Sequence, residues 1–171
     1  MEQCRLCKCT DKPLKESHII PKMFYNALKR NSPTRIMRMA DDPNRGVQDG
    51  LKLPFLCGEC EELFSKYERA FSNRIYQKAI ANDGEIKFES KDDALSYFLL
   101  SVAWRVIKHT RETDKTTLTE CELEKMGGII EIWRRILYDE NMEEIRKIQQ
   151  FIIPTKNLRF FENIPFRVHD N

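Results

Sequence analysis

Two pairs of cysteines are the residues of this chain whose types and spacing point most directly to chemistry. Cys4 and Cys7 are separated by two residues, and so are Cys57 and Cys60. Two intervening residues let both thiolates of a pair reach one tetrahedral zinc ion at about 2.3 Å. Two such pairs provide the four ligands of a structural zinc site. The spacing therefore predicts that Cys4, Cys7, Cys57 and Cys60 bind one structural zinc ion.

The two other cysteines leave alternatives open. Cys9 can replace Cys7 through a shifted arrangement with one intervening residue, although the spacing of two is favoured. Cys121 falls in a predicted helix, where a packed free thiol is the ordinary interpretation. The pairs can also be buried free thiols or a redox-active dithiol. Four cysteines at matching spacing favour a metal over a redox centre, which needs only two.

His18 lies in the stretch KESHIIPK, residues 15 to 22, and is one of three histidines. An imidazole suits a general base because its pKa lies near neutrality. It also suits a zinc ligand or a hydrogen-bonding residue at the end of a strand, and the stretch by itself does not choose among these. His109, late in a predicted helix, and His169, near the C-terminus, are not expected to act in catalysis.

The composition is that of a globular protein of 171 residues, with 33% charged and 41% hydrophobic residues. The longest apolar run, residues 97 to 104, is far shorter than the roughly 20 residues of a membrane span. The N-terminus MEQCRLCKC lacks the organisation of a signal peptide, so we expect a cytoplasmic protein with reduced cysteines, and no membrane contact.

Charge is spread unevenly along the chain. Residues 1 to 80 carry 15 Lys and Arg against 10 Asp and Glu, whereas the remaining residues carry 14 against 17. A basic region beside a mildly acidic one is typical of a protein that contacts nucleic acid through its first part. A solvated, lysine-rich surface explains the same charge equally well.

The elements that would position these residues can be predicted from the apolar pattern. Residues 15 to 20 read as a short strand ended by Pro21, residues 22 to 30 as a short helix, and residues 31 to 50 as a long loop. Residues 61 to about 82 form an amphipathic helix. Its apolar residues repeat every four positions: Leu63, Tyr67, Phe71, Ile75 and Ala79.

The second half of the chain is predicted to be helical. Ser90 with Asp93 opens a nearly all-apolar helix to about residue 110, after a short strand over residues 85 to 89. A second helix opens at Thr117 or Thr119 and runs to 138, and a third begins at Asn141. The predicted fold class is therefore α+β with helices predominating. Three regions follow: a zinc-binding module 1–82, a helical domain 90–153 and an extended tail 154–171.

The order of CRLC, ESHIIPK and LPFLCGECEELF resembles the HNH nuclease family, in members that carry a CxxC zinc knuckle. The resemblance covers roughly residues 4 to 68. It implies that residues 1–82 form a ββα-metal module, in which a hairpin carrying the catalytic histidine packs against the helix that follows the second CxxC.

The resemblance also implies roles for single residues. His18 matches the general base, and Glu61, directly after Cys60, matches the last motif position, where a carboxylate can bind a divalent ion. Ser17 stands where the family has a metal ligand, and Lys52 where it has the Asn that orients the histidine; Asn44, Gln48 and Asp49 are open substitutes for that Asn. Glu68, two helical turns after Glu61, is a reserve ligand or a partner for an arginine.

The activity implied is hydrolysis of DNA phosphodiester bonds with Mg²⁺ or a similar divalent ion, in a context such as phage defence. Five basic residues are the candidates for binding nucleic acid: Lys22, Arg35, Arg38, Arg45 and Lys52. The helical region would then orient the substrate, dimerise or dock a partner protein. The alternative is a catalytically inactive zinc module that binds nucleic acid or a protein, which the departures at Ser17 and Lys52 favour.

Overall fold

The computed structural model of the chain describes residues 2–31, 33–38, 42, 44–81, 92–113 and 118–150. These residues form an α+β fold in which helices predominate, which confirms the predicted class. Within this part of the chain, no helix combines the length and the apolar character that a membrane crossing requires.

A two-stranded antiparallel sheet leads directly into a helix. Strand β1 (Leu14–His18) pairs with β4 (Lys52–Cys57), with Leu14 opposite Cys57 and His18 opposite Lys52. Helix α2 (Gly58–Phe71) begins at the next residue. The sheet therefore places His18 at one end of the hairpin, and the second cysteine pair at the other end, where the helix begins.

The described residues between the paired strands contain more regular structure than predicted. Helix α1 (Lys22–Asn31) follows Pro21, as the sequence pattern indicated. The long loop predicted over residues 31–50 contains two short strands that pair antiparallel, β2 (Met37–Arg38) and β3 (Gly46–Val47). Strands of two residues carry no detectable alternation of apolar and polar residues, so the pattern did not reveal them.

The predicted amphipathic helix is present but is interrupted by a wider turn. Helix α2 passes into a π-helical turn (Ser72–Tyr76) and then into α3 (Gln77–Ala81). A strict spacing of four residues drifts by about 40° per step on a helix of 3.6 residues per turn. The π turn, whose bonds span five residues, reverses part of this drift. Ile75 and Ala79 consequently stay buried with Tyr67 and Phe71.

Three further helices complete the described fold: α4 (Asp93–Thr113), α5 (Glu120–Tyr138) and α6 (Met142–Lys147). The predicted Thr119 and Asn141 caps are confirmed, because each side chain accepts a backbone N–H three residues on. Asp92 caps α4, accepting from the N–H groups of residues 94 and 95. The predicted helix end near residue 82, the strand at 85–89, the cap Ser90 and the tail 154–171 lie outside the described residues.

The buried side chains of both halves belong to one hydrophobic core. Trp104 of α4 is fully buried, meets Phe64 of α2 edge to face at 6.0 Å, and donates from its indole N–H to Ile130 O of α5. Phe98 stacks on Phe71 at 4.1 Å between ring centroids. The helices of the second half therefore pack directly on the hairpin and α2. The predicted boundary between the two regions lies in residues that the structure does not describe.

Candidate functional site

A tight turn and a helix start bring cysteine side chains together. The N–H of Cys4 donates to Cys9 O at 2.9 Å and that of Lys8 to Cys4 O at 3.0 Å, while Lys8 takes the left-handed conformation with φ 66°. These bonds fold residues 4–9 into a knuckle. Cys57 ends β4, and its backbone N–H donates to Cys4 Sγ at 3.3 Å. The sheet and the knuckle thus position sulfurs that are fifty residues apart in the chain.

Four of these sulfurs lie within 4.8 Å of one another, and as a group they could bind a metal ion such as zinc. They belong to Cys4, Cys7, Cys9 and Cys57. Three members of the predicted ligand set are therefore in the group, together with Cys9, which was predicted only as a replacement for Cys7. Cys60, the fourth predicted ligand, is buried in the first turn of α2 and forms a hydrogen bond with the thiol of Cys4. Cys121 is exposed on α5.

Two sulfur–sulfur distances distinguish between the possible ligand sets. Sulfurs bound at about 2.3 Å to one tetrahedral zinc lie about 3.8 Å apart. The Sγ atoms of Cys7 and Cys57 are 3.7 Å apart, which matches this spacing. The Sγ atoms of Cys7 and Cys9 are 3.2 Å apart, so both can be ligands only if they separate.

The cysteine pKa values are strongly coupled. The hydrogen bond from Cys60 lowers the pKa of Cys4 to about 4 against the opposing effect of burial. The same bond, together with burial, raises the pKa of Cys60. Burial raises the pKa of Cys57, and the hydrogen bond with Cys7 raises that of Cys9 to about 12. The pKa of Cys4 is therefore lowered while those of Cys9, Cys57 and Cys60 are raised, and a bound cation would favour the thiolate form of the latter three.

Helix α5 supports the knuckle through an arginine that sequence reasoning missed. Arg134 Nη1 donates to Leu6 O at 2.6 Å, and the same guanidinium pairs with Glu131 one turn earlier. Leu6 itself is fully buried between Cys4 and Cys7. An arginine on a polar helix face carries no signal for a partner 128 residues away, so only the fold reveals this contact.

His18 contacts an aspartate of the preceding loop. Its Nε2 lies 3.0 Å from Asp49 Oδ1, and the second carboxylate oxygen, Oδ2, accepts from Lys52 Nζ at 2.6 Å. The hydrogen bond from Lys52, which has the larger effect, and the one from His18 hold the pKa of Asp49 well below its ordinary range. Among the three candidates for the orienting residue, the structure therefore places Asp49 against the imidazole. A carboxylate partner makes Nε2 the protonated nitrogen and leaves Nδ1 as the acceptor.

A close approach of backbone and ring shapes the wall of this site. A Cβ added to Gly50 would lie 1.9 Å from the ring of Tyr25, so only glycine fits there. The Tyr25 ring in turn lies 6.4 Å from that of His18, between centroids, and burial raises the pKa of Tyr25. The His18 side chain is 18% exposed, which leaves the imidazole accessible to a small molecule such as water.

Ser17 and Glu61 form a second polar contact beside His18. Ser17 is fully buried and donates from Oγ to Glu61 Oε2 at 2.6 Å. Successive side chains of a strand point to opposite faces, so Ser17 faces α2 whereas His18 faces the loop of Asp49. Glu61, predicted as a metal ligand, therefore contacts the residue before His18.

Arg105 is a further residue of the site that the sequence pattern did not single out. It is 1% exposed on α4 and donates from Nη1 to His18 O at 3.0 Å and from Nη2 to Glu68 Oε1 at 2.7 Å. Glu68 is thus the partner of an arginine, one of its two predicted roles. The available signal was an arginine inside the nearly all-apolar helix predicted to end near residue 110, because a buried charge needs a partner.

The residues predicted to contact nucleic acid lie on different elements of the first half of the chain. Lys22 begins α1, Arg38 lies on β2, and Arg35 and Arg45 lie outside the regular elements; all four are exposed. Lys52 differs, because its ammonium group neutralises Asp49.

Comparisons of the chain with protein-family models, with curated proteins and with solved structures found no match.

Proposed function

We propose that the chain is a metal-dependent nuclease that hydrolyses DNA phosphodiester bonds, with a structural zinc held by cysteines. The observation that carries the proposal is the hydrogen bond between His18 Nε2 and Asp49 Oδ1 at 3.0 Å. A partly exposed imidazole oriented by a carboxylate is the arrangement that a general base requires. The antiparallel hairpin leading into α2 agrees with the ββα-metal module implied by the HNH resemblance.

Zinc would be held by Cys4, Cys7, Cys57 and Cys60. The donor set fits, because soft thiolates are the ligands of structural zinc. The sulfurs of Cys4, Cys7 and Cys57 lie together, and Cys60 is hydrogen-bonded to Cys4. The ion would link the N-terminal knuckle to the start of α2. Its binding energy would then contribute to folding and would hold the hairpin against the helix.

His18 would act on the attacking water. Asp49 accepts the N–H of Nε2 and fixes the orientation of the ring, so Nδ1 is free to take a proton from water. As the water oxygen bonds to phosphorus, the bond from phosphorus to the leaving oxygen breaks and the proton stays on His18. Lys52 keeps Asp49 ionised, which preserves its ability to orient the imidazole.

Glu61 would hold the catalytic divalent ion. Its Oε2 accepts the Ser17 hydroxyl, which fixes the carboxylate and leaves Oε1 as a ligand atom. Mg²⁺ is commonly held by one or two carboxylates together with water and substrate phosphate, so Glu61 would supply one carboxylate and the other ligands would be water and phosphate. When bound, such an ion supplies stabilisation of the charge that develops on the phosphate. Lys22, Arg35, Arg38 and Arg45 would contact DNA phosphates.

A second candidate is an inactive zinc module that binds nucleic acid or a protein. The observation that favours it is that the polar groups beside His18 already bind one another. Ser17, at the position of a metal ligand in the family, is buried against Glu61, and Lys52 covers one oxygen of Asp49. In this alternative the same contacts serve only to stabilise the hairpin.

A nicking assay separates the two candidates. Supercoiled plasmid and single-stranded DNA are incubated with the purified chain and Mg²⁺, Mn²⁺ or Ni²⁺, beside His18→Ala and the control His109→Ala. The proposal predicts cleavage by the parent and the control, and a reduction of at least about 100-fold in His18→Ala. Binding without cleavage across all metals and substrates would establish the alternative. Cleavage that survives His18→Ala would remove the mechanism.

A further inference from the structure

We propose that a cavity beside the hairpin binds a phosphate group of a nucleic-acid strand, outside the His18 site. The inference rests on the proposed function in taking nucleic acid as the ligand. The cavity has a volume of about 920 Å³ and lies between α1, the residues after it and the π turn. Its described lining residues are Met23, Asn26, Lys29, Arg30, Arg35, Ser72, Tyr76 and Gln77.

The charge of the lining favours an anion. Lys29, Arg30 and Arg35 contribute three cations, and none of the described lining residues is acidic. Lys29 Nζ donates to Gln48 O at 2.8 Å, which fixes the ammonium group and leaves two of its protons for a ligand. Arg30 and Arg35 are exposed and form no ion pair with any described residue. Guanidinium groups in such a position match the oxygens of a phosphate.

Neutral donors complete the lining. Asn26, Ser72 and Gln77 add amide and hydroxyl groups to the cations. The hydroxyl of Tyr76 donates to Met23 O at 3.1 Å, so its ring forms a fixed wall between α1 and the π turn. A wall of this kind is suited to a sugar or a base beside the phosphate, as in sites for single strands.

Two backbone irregularities coincide at this cavity. Arg35 has φ 55°, a left-handed conformation that costs a non-glycine residue about 1 kcal/mol or more. Ser72 and Tyr76 are the first and last residues of the π turn, a feature that occurs frequently at functional sites. Unfavourable backbone geometry is retained where the surrounding structure needs it, and both irregularities here direct side chains into one basic cavity.

Helix α1 connects the cavity to His18. Tyr25 contacts the imidazole, and Lys29, one turn later and about 6 Å along the axis, lines the cavity. Lys29 also binds the carbonyl of Gln48, the residue before Asp49. A strand with one phosphate at His18 therefore reaches the cavity by following α1, so the cavity is placed to hold a second phosphate of the same strand.

Binding of a fluorescent single-stranded oligodeoxynucleotide, followed by anisotropy, tests the inference. All proteins carry His18→Ala so that the strand stays intact. We expect Arg30→Gln combined with Arg35→Gln to weaken binding at least tenfold. The slope of log affinity against log salt should fall by about 0.7 for each phosphate that the protein no longer neutralises. The matched control, Arg69→Gln with Lys125→Gln, removes the same charge from exposed sites and should change neither quantity appreciably.

An abasic strand of equal length shows which part of the nucleic acid the cavity recognises. The weakening caused by the Arg30 and Arg35 substitutions should persist on this strand, because the phosphates remain. Three results would each overturn the inference. They are equal effects of the test and control pairs, a weakening that vanishes on the abasic strand, and the absence of binding by the His18→Ala parent. If cleavage depends on His18 but not on Arg30 and Arg35, the nuclease proposal stands and the cavity proposal fails. If the strand binds through Arg30 and Arg35 but is not cleaved, the cavity proposal stands and the nuclease proposal fails.

Discussion

Arg105 Nη1 donates to the backbone oxygen of His18 at 3.0 Å, across 87 residues of sequence. The same guanidinium binds Glu68 and lies over the ring of Phe64, at 5.2 Å from its centroid. One buried side chain therefore joins α4, α2 and the end of β1. The helical half of the chain holds the strand that carries the candidate base, so the hairpin depends on more than the cysteines.

Replacing Arg105 by Met should destabilise the protein by about 3 kcal/mol. The substitution keeps much of the apolar packing but leaves the carboxylate of Glu68 unpaired and the His18 carbonyl without its donor. Denaturation with urea measures the change. Arg69→Met, on the exposed face of α2, is the control and should change the free energy of unfolding by less than about 0.5 kcal/mol. Equal effects of the two substitutions would show that the hydrogen bonds of Arg105 contribute nothing.

Asp49→Asn should reduce cleavage by at least about 100-fold while leaving the fold intact. The amide preserves the shape of the side chain, but it is neutral and can no longer stabilise an imidazolium by charge. The rate of plasmid nicking is the measurement, and exposed Asp11→Asn provides the control. An Asp49→Asn protein that nicks at the parent rate would exclude the proposed role of the carboxylate.

The two candidate fourth ligands should respond differently to substitution. Cys60→Ser is expected to weaken zinc binding by more than about 100-fold, because a direct ligand is removed. Cys9→Ser should weaken it by less than about tenfold, because Cys9 lies too near Cys7 for both to bind one tetrahedral ion. Competition with a chromophoric chelator measures both affinities.

Cys121→Ser provides the reference for these variants, since Cys121 is exposed on α5. Its zinc affinity should equal that of the parent. The reverse order, with Cys9 essential and Cys60 dispensable, would assign the site to the four sulfurs that lie within 4.8 Å of one another.

The ion pair that supports the knuckle should make stability depend on pH below 4.5. Arg134 lowers the pKa of Glu131 from 4.5 to about 2. The contribution of Glu131 is therefore complete above about pH 5 and disappears as the pH falls towards 2. The difference in stability between the parent and Glu131→Gln should narrow over that range, while exposed Glu124→Gln should show no such change. If the stability difference between the parent and Glu131→Gln stays constant from pH 6 to pH 3, the lowered pKa of Glu131 is contradicted.

Local signals in the sequence were sufficient for the helices. The repeat of Tyr67, Phe71, Ile75 and Ala79 identified the buried face of the helix after the second cysteine pair. Its spacing of four was also a signal for the π turn, because no uninterrupted α-helix keeps that spacing on one face. The start at Gly58 was missed, since the cysteine before it has no side-chain cap to mark the boundary.

Interactions between distant segments could not be read from the sequence in the same way. Asn44, Gln48 and Asp49 were equivalent candidates beside His18, because the path of residues 31–50 was unknown. The pairing of β2 with β3 and the bond from Lys29 to Gln48 determine that path, and neither leaves a pattern in composition or period. The predicted choice between Cys7 and Cys9, and whether Cys60 joins either of them, likewise depend on distances between sulfurs, which spacing along the chain does not specify.

The central claim is that cysteines from the two ends of the first sixty residues bind one metal ion and so hold the hairpin of His18 against α2. X-ray absorption at the zinc edge of the purified, reduced chain tests it most directly. We predict one zinc per chain with four sulfurs at about 2.3 Å and no nitrogen or oxygen ligand. A chain that folds and stays free of zinc when the ion is supplied, or a zinc shell with fewer than four sulfurs, would contradict the claim.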